Sequence, residues 1–463
     1  MFVYLSKKIS IPNNVPLKAI AWCQKDGFIA CGGNDGLLKV LKLDSAAGKD
    51  GAKGLAAPTN LSINQNLEGH SGCVEVVVWN ERHQKLTTSD QYGLIIVWMM
   101  HKGSWYEEMI NNRNRSVVRD MAWNAEGEKI CIVYEDGIVI VGSVDGNRLW
   151  GKEIKGSLVA VEWSPNGQAL LFGLSTGEVH VYDSDGNFVS KIQIVCLQNV
   201  GDGELISLKW YKNTATSTDY IPSLAIVYKH GTLQIMKQEN DADPVVYQGE
   251  GLELVDAAWN PSGTVLALAG RVKEAVEGEQ NVVHFITPVG QLLRSLKIPG
   301  KEIAGCSWEG TGLRIGLAVD SHIFFANIRP NYKWGYCGQT VVYSFYKPDR
   351  TEQGLAFWDS KLDELNIRFI RELIDIACYR DYCVVAYRAD TYDSNQFVLE
   401  LCNAIGTPVD AKFIEIEPIA VALNSTYVIA ASKEAFYLWQ FSLPRRATDE
   451  VNLPKMKRGA AKE

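Results

Sequence analysis

The sequence predicts an all-β fold: a seven-bladed β-propeller of WD40 type, followed by an incomplete second propeller. Three observations predict it. Seven tryptophans close seven copies of one short apolar phrase: AIAW at Trp22, VVVW at Trp79, DMAW at Trp123, AVEW at Trp163, SLKW at Trp210, DAAW at Trp259 and GCSW at Trp308. The phrases recur at intervals of 40 to 57 residues, a period that marks propeller blades when strand-forming residues fill each unit. Turn pairs such as Asp136-Gly137 and Asp145-Gly146 punctuate the units, because Asp-Gly suits hairpin turns that need positive φ.

The first strand, FVYLSKKI (2–9), precedes the first phrase. The seventh unit supplies GCSW, GLRIGLAV and HIFFANI, which is three strands and not four. Strand 2–9 is therefore expected to complete the last blade as its outer strand, closing a ring over 1–330 and hiding edges that would pair with other chains. Between these ends each unit reads alike. Blade three runs VVRDMAW, ICIVY, IVIVGSV and RLWGKEI; blade four runs AVEW, ALLFGL, EVHVYDS and FVSKIQI. Four short antiparallel strands make a propeller blade.

Residues 331–443 keep the β pattern as TVVYSFY, GLAFWDS and LNIRFIR, then LIDIACY, YCVVAYR, FVLELCN and DAKFIEI, then PIAVALN, YVIAAS and AFYLWQF. These are the first blades of a second propeller. Repeat units need neighbours to bury their faces, so they read as the opening of a longer chain. Residues 444–463 read as a flexible tail, and 44–60, 211–220 and 271–280 as long loops.

Composition narrows the function. Among 463 residues, 54 acidic against 46 basic side chains give a net charge of −8, which argues against general nucleic-acid binding. The N-terminal apolar run is too short for a signal peptide and no stretch is long enough to span a bilayer. Ten scattered cysteines, with Cys378 and Cys383 the nearest pair, read as buried reduced thiols of a cytosolic protein. The seven histidines lack metal-ligand spacing, and the acidic groups Glu107-Glu108 and Glu239, Asp241, Asp243 read as solvated loop charge. No nucleophile elbow or phosphate loop occurs. No catalytic residue, metal or cofactor is expected. An enzyme of this fold would gather carboxylates at its central channel, and the sequence suggests no such cluster.

Two groups stand out. His70, Thr88 and Trp98 resemble the buried hydrogen-bond relay of WD-type blades. Tyr92 replaces the turn Asp, with Asp90 two residues earlier, so the relay is expected to be partial and structural. Arg113, Arg115 and Arg119 precede and enter the inner strand of blade three. They are the candidate partner-binding group, suited to an acidic peptide or an anionic lipid headgroup; the plain alternative pairs them with Glu107 and Glu108.

Several long strings resemble one family: LSKKISIPNN (5–14), GLLKVLKL (36–43), GLIIVWM (93–99), GSWYEEMINNRN (103–114), KICIVYEDG (129–137), FANIRPNYKWGYC (325–337) and ASKEAFYLWQ (431–440). They are similar to the double-propeller WD-repeat subunits of intraflagellar transport complex A, in which a helical solenoid follows two propellers. The resemblance implies a non-catalytic scaffold for retrograde transport and for entry of membrane proteins into cilia. Implied partners are other complex A subunits and, through them, tubby-like adaptors and ciliary membrane cargo. The implied locations are the cytoplasm, the ciliary base and the axoneme, with peripheral membrane contact and no transmembrane segment. The alternative is a vesicle-coat-like cargo or membrane adaptor of the same plan.

Overall fold

The computed structural model describes residues 1–43, 61–112, 116–198, 203–211, 223–275, 280–329, 332–346, 353–389 and 396–441. These contain 39 strands, a short 3-10 turn at Pro12–Asn14 and no α-helix. The chain divides into two units, Met1–Arg329 and Pro330–Glu463.

The first unit holds seven four-stranded antiparallel sheets. Blade 1 runs from inner strand Leu17–Trp22 through Phe28–Gly33 and Leu38–Leu43 to outer strand Leu61–Asn66. Blades 2 to 6 begin at Val74–Asn80, Val118–Trp123, Leu158–Trp163, Leu205–Trp210 and Leu252–Trp259. Blade 7 comprises Ile303–Trp308, Arg314–Val319 and His322–Arg329, and its outer strand is Phe2–Ser10. That strand runs antiparallel from Phe2 opposite Arg329 to Ser10 opposite His322. Ring closure is therefore made of hydrogen bonds between the two ends of the unit.

No blade owns a core. The buried side chains form seven clusters, one between each pair of neighbouring blades, including blades 7 and 1. Between blades 3 and 4, for example, Cys131, Val133, Val139 and Val141 meet Leu158, Val161, Leu170 and Phe172. Each blade is apolar on both faces because each is covered on both faces, as in a stack of repeats.

The tryptophan phrase has a mechanical explanation. The indole Nε1–H of Trp79 donates to Ala21 O at 3.0 Å, Trp163 to Ala122 O at 3.0 Å, Trp259 to Lys209 O at 3.1 Å and Trp308 to Ala258 O at 2.9 Å. In each case the acceptor is the residue before the tryptophan of the preceding blade, so the side chain staples one inner strand to the next. Trp123 reaches Thr87 Oγ1 of blade 2 instead, at 3.3 Å. Across the closure, the Trp22 backbone N–H donates to Ser307 Oγ at 2.8 Å. Every inner strand of the ring also slips register three residues before its tryptophan, as between Val118 and Asp120 and between Leu254 and Asp256. These bulges twist the strand where the blades converge.

Turn chemistry is specific where the chain doubles back tightly. Gly137 has φ +87°, and a Cβ there would stand 2.3 Å from Ile154 O. Only glycine fits both demands.

The second unit continues the pattern of four-stranded antiparallel sheets. Its first sheet is Trp334–Cys337, Thr340–Tyr346, Gln353–Asp359 and Glu364–Ile370; its second is Leu373–Tyr379, Tyr382–Arg388, Phe397–Asn403 and Pro408–Ile414. Three further strands, Ala420–Leu423, Tyr427–Ala431 and Phe436–Gln440, make a third sheet among the described residues. Sequence reading gave the first sheet three strands and missed Trp334–Cys337, which is only four residues long and largely exposed. Most of the expected loops and the tail lie outside the described residues: 44–60, 212–220, 276–279 and 442–463.

Candidate functional site

Blade 2 carries a relay that is complete, not partial. Trp98 Nε1–H can only donate, and it meets Thr88 Oγ1 at 2.9 Å. At the other end the Asp90 carboxylate accepts from His70 Nδ1–H at 3.2 Å. Nε2 of the neutral ring therefore accepts the Thr88 hydroxyl at 2.8 Å, the nearer of the hydroxyl's two acceptors beside Ile96 O at 3.4 Å. Asp90 Oδ1 in turn accepts the backbone N–H groups of Tyr92 and Leu94, at 3.0 and 3.1 Å. Tyr92 occupies the turn position and is exposed, but the missing carboxylate comes from Asp90 at the end of the strand. The side chains of His70 and Asp90 are fully shielded from solvent. Burial holds the His70 pKa below its usual 6.5, against the opposing pull of Asp90, so the imidazole is neutral. The relay joins the loop before the inner strand to two strands and a turn of one blade.

The central channel is less bland than its sequence suggests. A cavity of about 470 Å³ is lined by inner-strand residues of all seven blades, among them Ala21, Val78, Asp120, Glu162, Lys209, Asp256 and Ser307. Four carboxylates line it, those of Glu81, Asp120, Glu162 and Asp256, contrary to the expectation of none. Asp120 and Asp256 sit at the bulges, three residues before a tryptophan; Glu162 and Lys209 sit one residue before. Burial raises the pKa of Asp120 to about 6 and also raises that of Asp256, with Lys209 acting against both shifts. Burial pulls the Lys209 pKa down, but Asp256, Asp120 and Glu162 outweigh it and raise it overall, so the ammonium stays charged.

The hydrogen bonds of these carboxylates show what they do. Asp120 accepts its neighbour Met121 N–H at 2.8 Å and, across the blade boundary, Val161 N–H at 2.9 Å. Asp256 repeats this with Ala257 N–H at 2.8 Å and Cys306 N–H at 3.0 Å. In the second unit Asp375 does the same with Ile376 and Val421, both at 2.9 Å. Each bulge leaves main-chain donors without a ladder partner, and the carboxylate takes one from each of two blades. The charges of Asp120 and Asp256 are thus tied up in holding inner strands together. Among the described residues, no group of three His, Cys, Asp or Glu side chains is arranged to hold a metal ion.

Of the arginine group, Arg113 and Arg115 lie outside the described residues. Arg119 is exposed on the inner strand of blade 3 and pairs with Glu135, not with Glu107 or Glu108. Glu108 instead pairs with Lys85 at 2.8 Å. All ten cysteines are free thiols.

Seven blades closed by their own N-terminal strand, five of them stapled to the preceding blade through a tryptophan indole, with a buried relay in one, make this a WD40-type β-propeller protein. Comparison with known proteins agrees: a family model described as WDR35/TULP4 N-terminal matches residues 1–329, and one described as WDR35 second beta-propeller matches 334–463. The chain belongs to the WD repeat-containing protein 35 family. It is 56% identical to WD repeat-containing protein 35 of Rattus norvegicus over 98% of this chain and 39% of that protein. The corresponding Homo sapiens protein is 55% identical over 98% of this chain and 40% of its own length. The chain thus spans about 40% of the relatives it matches. Tubby-related protein 4 of Mus musculus is 30% identical over 65% of this chain and 20% of its own. A solved β-propeller domain of Cps50 (Swd1) from Myceliophteria thermophila shares the fold at TM-score 0.55 and 13% identity, covering 71% of this chain and all of that one.

Proposed function

We propose that this chain is the propeller portion of a non-catalytic scaffold subunit of intraflagellar transport complex A. It would support retrograde ciliary transport and the entry of membrane cargo through protein contacts of its propellers. The observation that carries this reading is identity of 56% running through both propellers, over 98% of the chain, to one set of relatives. The channel chemistry supports a scaffold over an enzyme, because the carboxylates of Asp120 and Asp256 are each committed to two main-chain donors. Other complex A subunits, tubby-like adaptors and the ciliary base and axoneme follow as proposed partners and locations. Arg119, with Arg113 and Arg115, is the proposed contact for an acidic partner or headgroup.

Affinity purification of the full-length parent protein from ciliated cells tests the proposal. Co-purification of transport subunits, together with ciliary localisation, is the expected result. Recovery with vesicle-coat subunits and no transport subunits would sink it and favour a coat adaptor.

A further inference from the structure

Four cysteines from separate parts of the second unit meet at one place. Cys378 and Cys383 lie directly opposite each other on adjacent antiparallel strands, and Cys383 lies opposite Cys402 on the next. Opposed residues of antiparallel strands project to the same face of a sheet, so three thiols stand in a row. Cys337, at the end of the neighbouring sheet's first strand, packs into the same cluster. Cys383 is thus the middle thiol of the row, with Cys337 packed beside it from the neighbouring sheet.

A shared metal does not fit this row. Cys378 and Cys402 are two strand spacings apart, roughly 9–10 Å, whereas two thiolates on one zinc ion stand within about 4.6 Å. A disulfide does fit. Directly opposed residues have Cα separations of about 4.5–5.5 Å, inside the range of about 4.4–6.8 Å that a disulfide spans. Cys337, Cys383 and Cys402 are buried, while Cys378 is partly exposed and gives the row its access to solvent.

We propose that Cys378 and Cys383 are a peroxide-sensitive dithiol, with Cys378 the attacking thiol and Cys383 the resolving one. Cys378 thiolate attacks hydrogen peroxide; the S–O bond forms, the O–O bond breaks and hydroxide leaves, taking up a proton to become water. Cys383 then attacks the sulfenic sulfur. The S–S bond forms, the S–O bond breaks and a second water leaves, so two thiols and one peroxide become one disulfide and two waters. The neighbouring Cys383 thiol pulls the Cys378 pKa below its usual value, which favours the thiolate form. The product would lock the hairpin at Tyr379–Tyr382 without moving its strands.

Cys73 provides the control within the same chain. It is also partly exposed, but burial and the nearby Glu75 push its thiol pKa up. The whole chain is titrated with hydrogen peroxide and digested with trypsin, which cuts after Arg380 and separates the two cysteines. The expected product is a Cys378–Cys383 linked peptide pair, two hydrogens lighter and reversed by a dithiol. In Cys383→Ser, dimedone should trap Cys378 several-fold faster than Cys73. The Cys378→Ser variant, at a partly exposed position, should lose the link while remaining folded. Labelling of Cys73 as fast as Cys378, or linkage of Cys383 to Cys402 or Cys337 in place of Cys378, would overturn the assignment.

Discussion

Thr88 is the hinge of the blade 2 relay, since its one hydroxyl serves both the Trp98 indole and the His70 ring. Thr88→Val keeps the shape and strands two buried polar groups. Each such group costs about 1–3 kcal/mol, so urea denaturation should show a loss of about 2–6 kcal/mol with an unchanged m-value. His70 adds a pH dependence whose sign is fixed by burial. Its folded pKa lies below 6.5, so its stabilising contribution is present above about pH 6.5 and lost as pH falls toward the folded value. Melting temperatures at pH 7.5 and 5.5 should therefore fall less in His70→Gln than in the parent protein, once each variant is compared with itself. At this scale the sequence was only partly readable. His70, Thr88 and Trp98 show themselves by residue type. Asp90 is hidden because a strand-end position does the work expected of the turn, where Tyr92 stands. Asp120, Glu162, Lys209 and Asp256 were in plain view inside the tryptophan phrases. A polar residue in an otherwise apolar inner strand was the signal that they line the channel, and periodicity alone does not say which face that is.

At the scale of strands, the tryptophan phrase could be read because it combines a bulge, an apolar inner strand and, in five of the seven blades, an indole staple to the preceding blade within four residues. Such a phrase cannot drift without loosening two blades. Trp334–Cys337 escaped reading for the opposite reason: it has no closing tryptophan, is four residues long and buries little beyond Cys337. The strand Phe2–Ser10 has the alternating exposure of an outer strand, with Val3 and Leu5 packed on the core between blades 6 and 7. Deleting residues 1–10 would leave His322–Arg329 as a bare edge. The variant should melt several degrees lower and elute partly as dimers or larger species in size-exclusion chromatography with light scattering, because an unpaired edge seeks another strand.

For the whole molecule, stability resides in seven wedges of side chains and not in one centre. A ring of this kind is complete within Met1–Arg329. The fragment 1–329 should therefore be soluble and unfold in a single cooperative calorimetric transition; a broad, non-cooperative melt would contradict a self-contained ring. Fold class was legible throughout because repetition amplifies a weak local signal seven times. The thiol row of the second unit was not, since Cys337 and Cys402 are 65 residues apart and only strand register places them beside Cys383.

The closing strand also sets a timetable. Ser6 Oγ donates to Phe325 O at 3.1 Å, across a separation of 319 residues. At synthesis rates of about 5–20 residues per second, the first strand waits roughly 16–65 s for its partner to be made. Throughout that interval the nascent ring has an orphan strand at one end and a growing open edge at the other. The first strand of the ring to be made is among the last to find its place, and whatever shelters it until then, be it a chaperone or the ribosome surface, is part of how this ring is built.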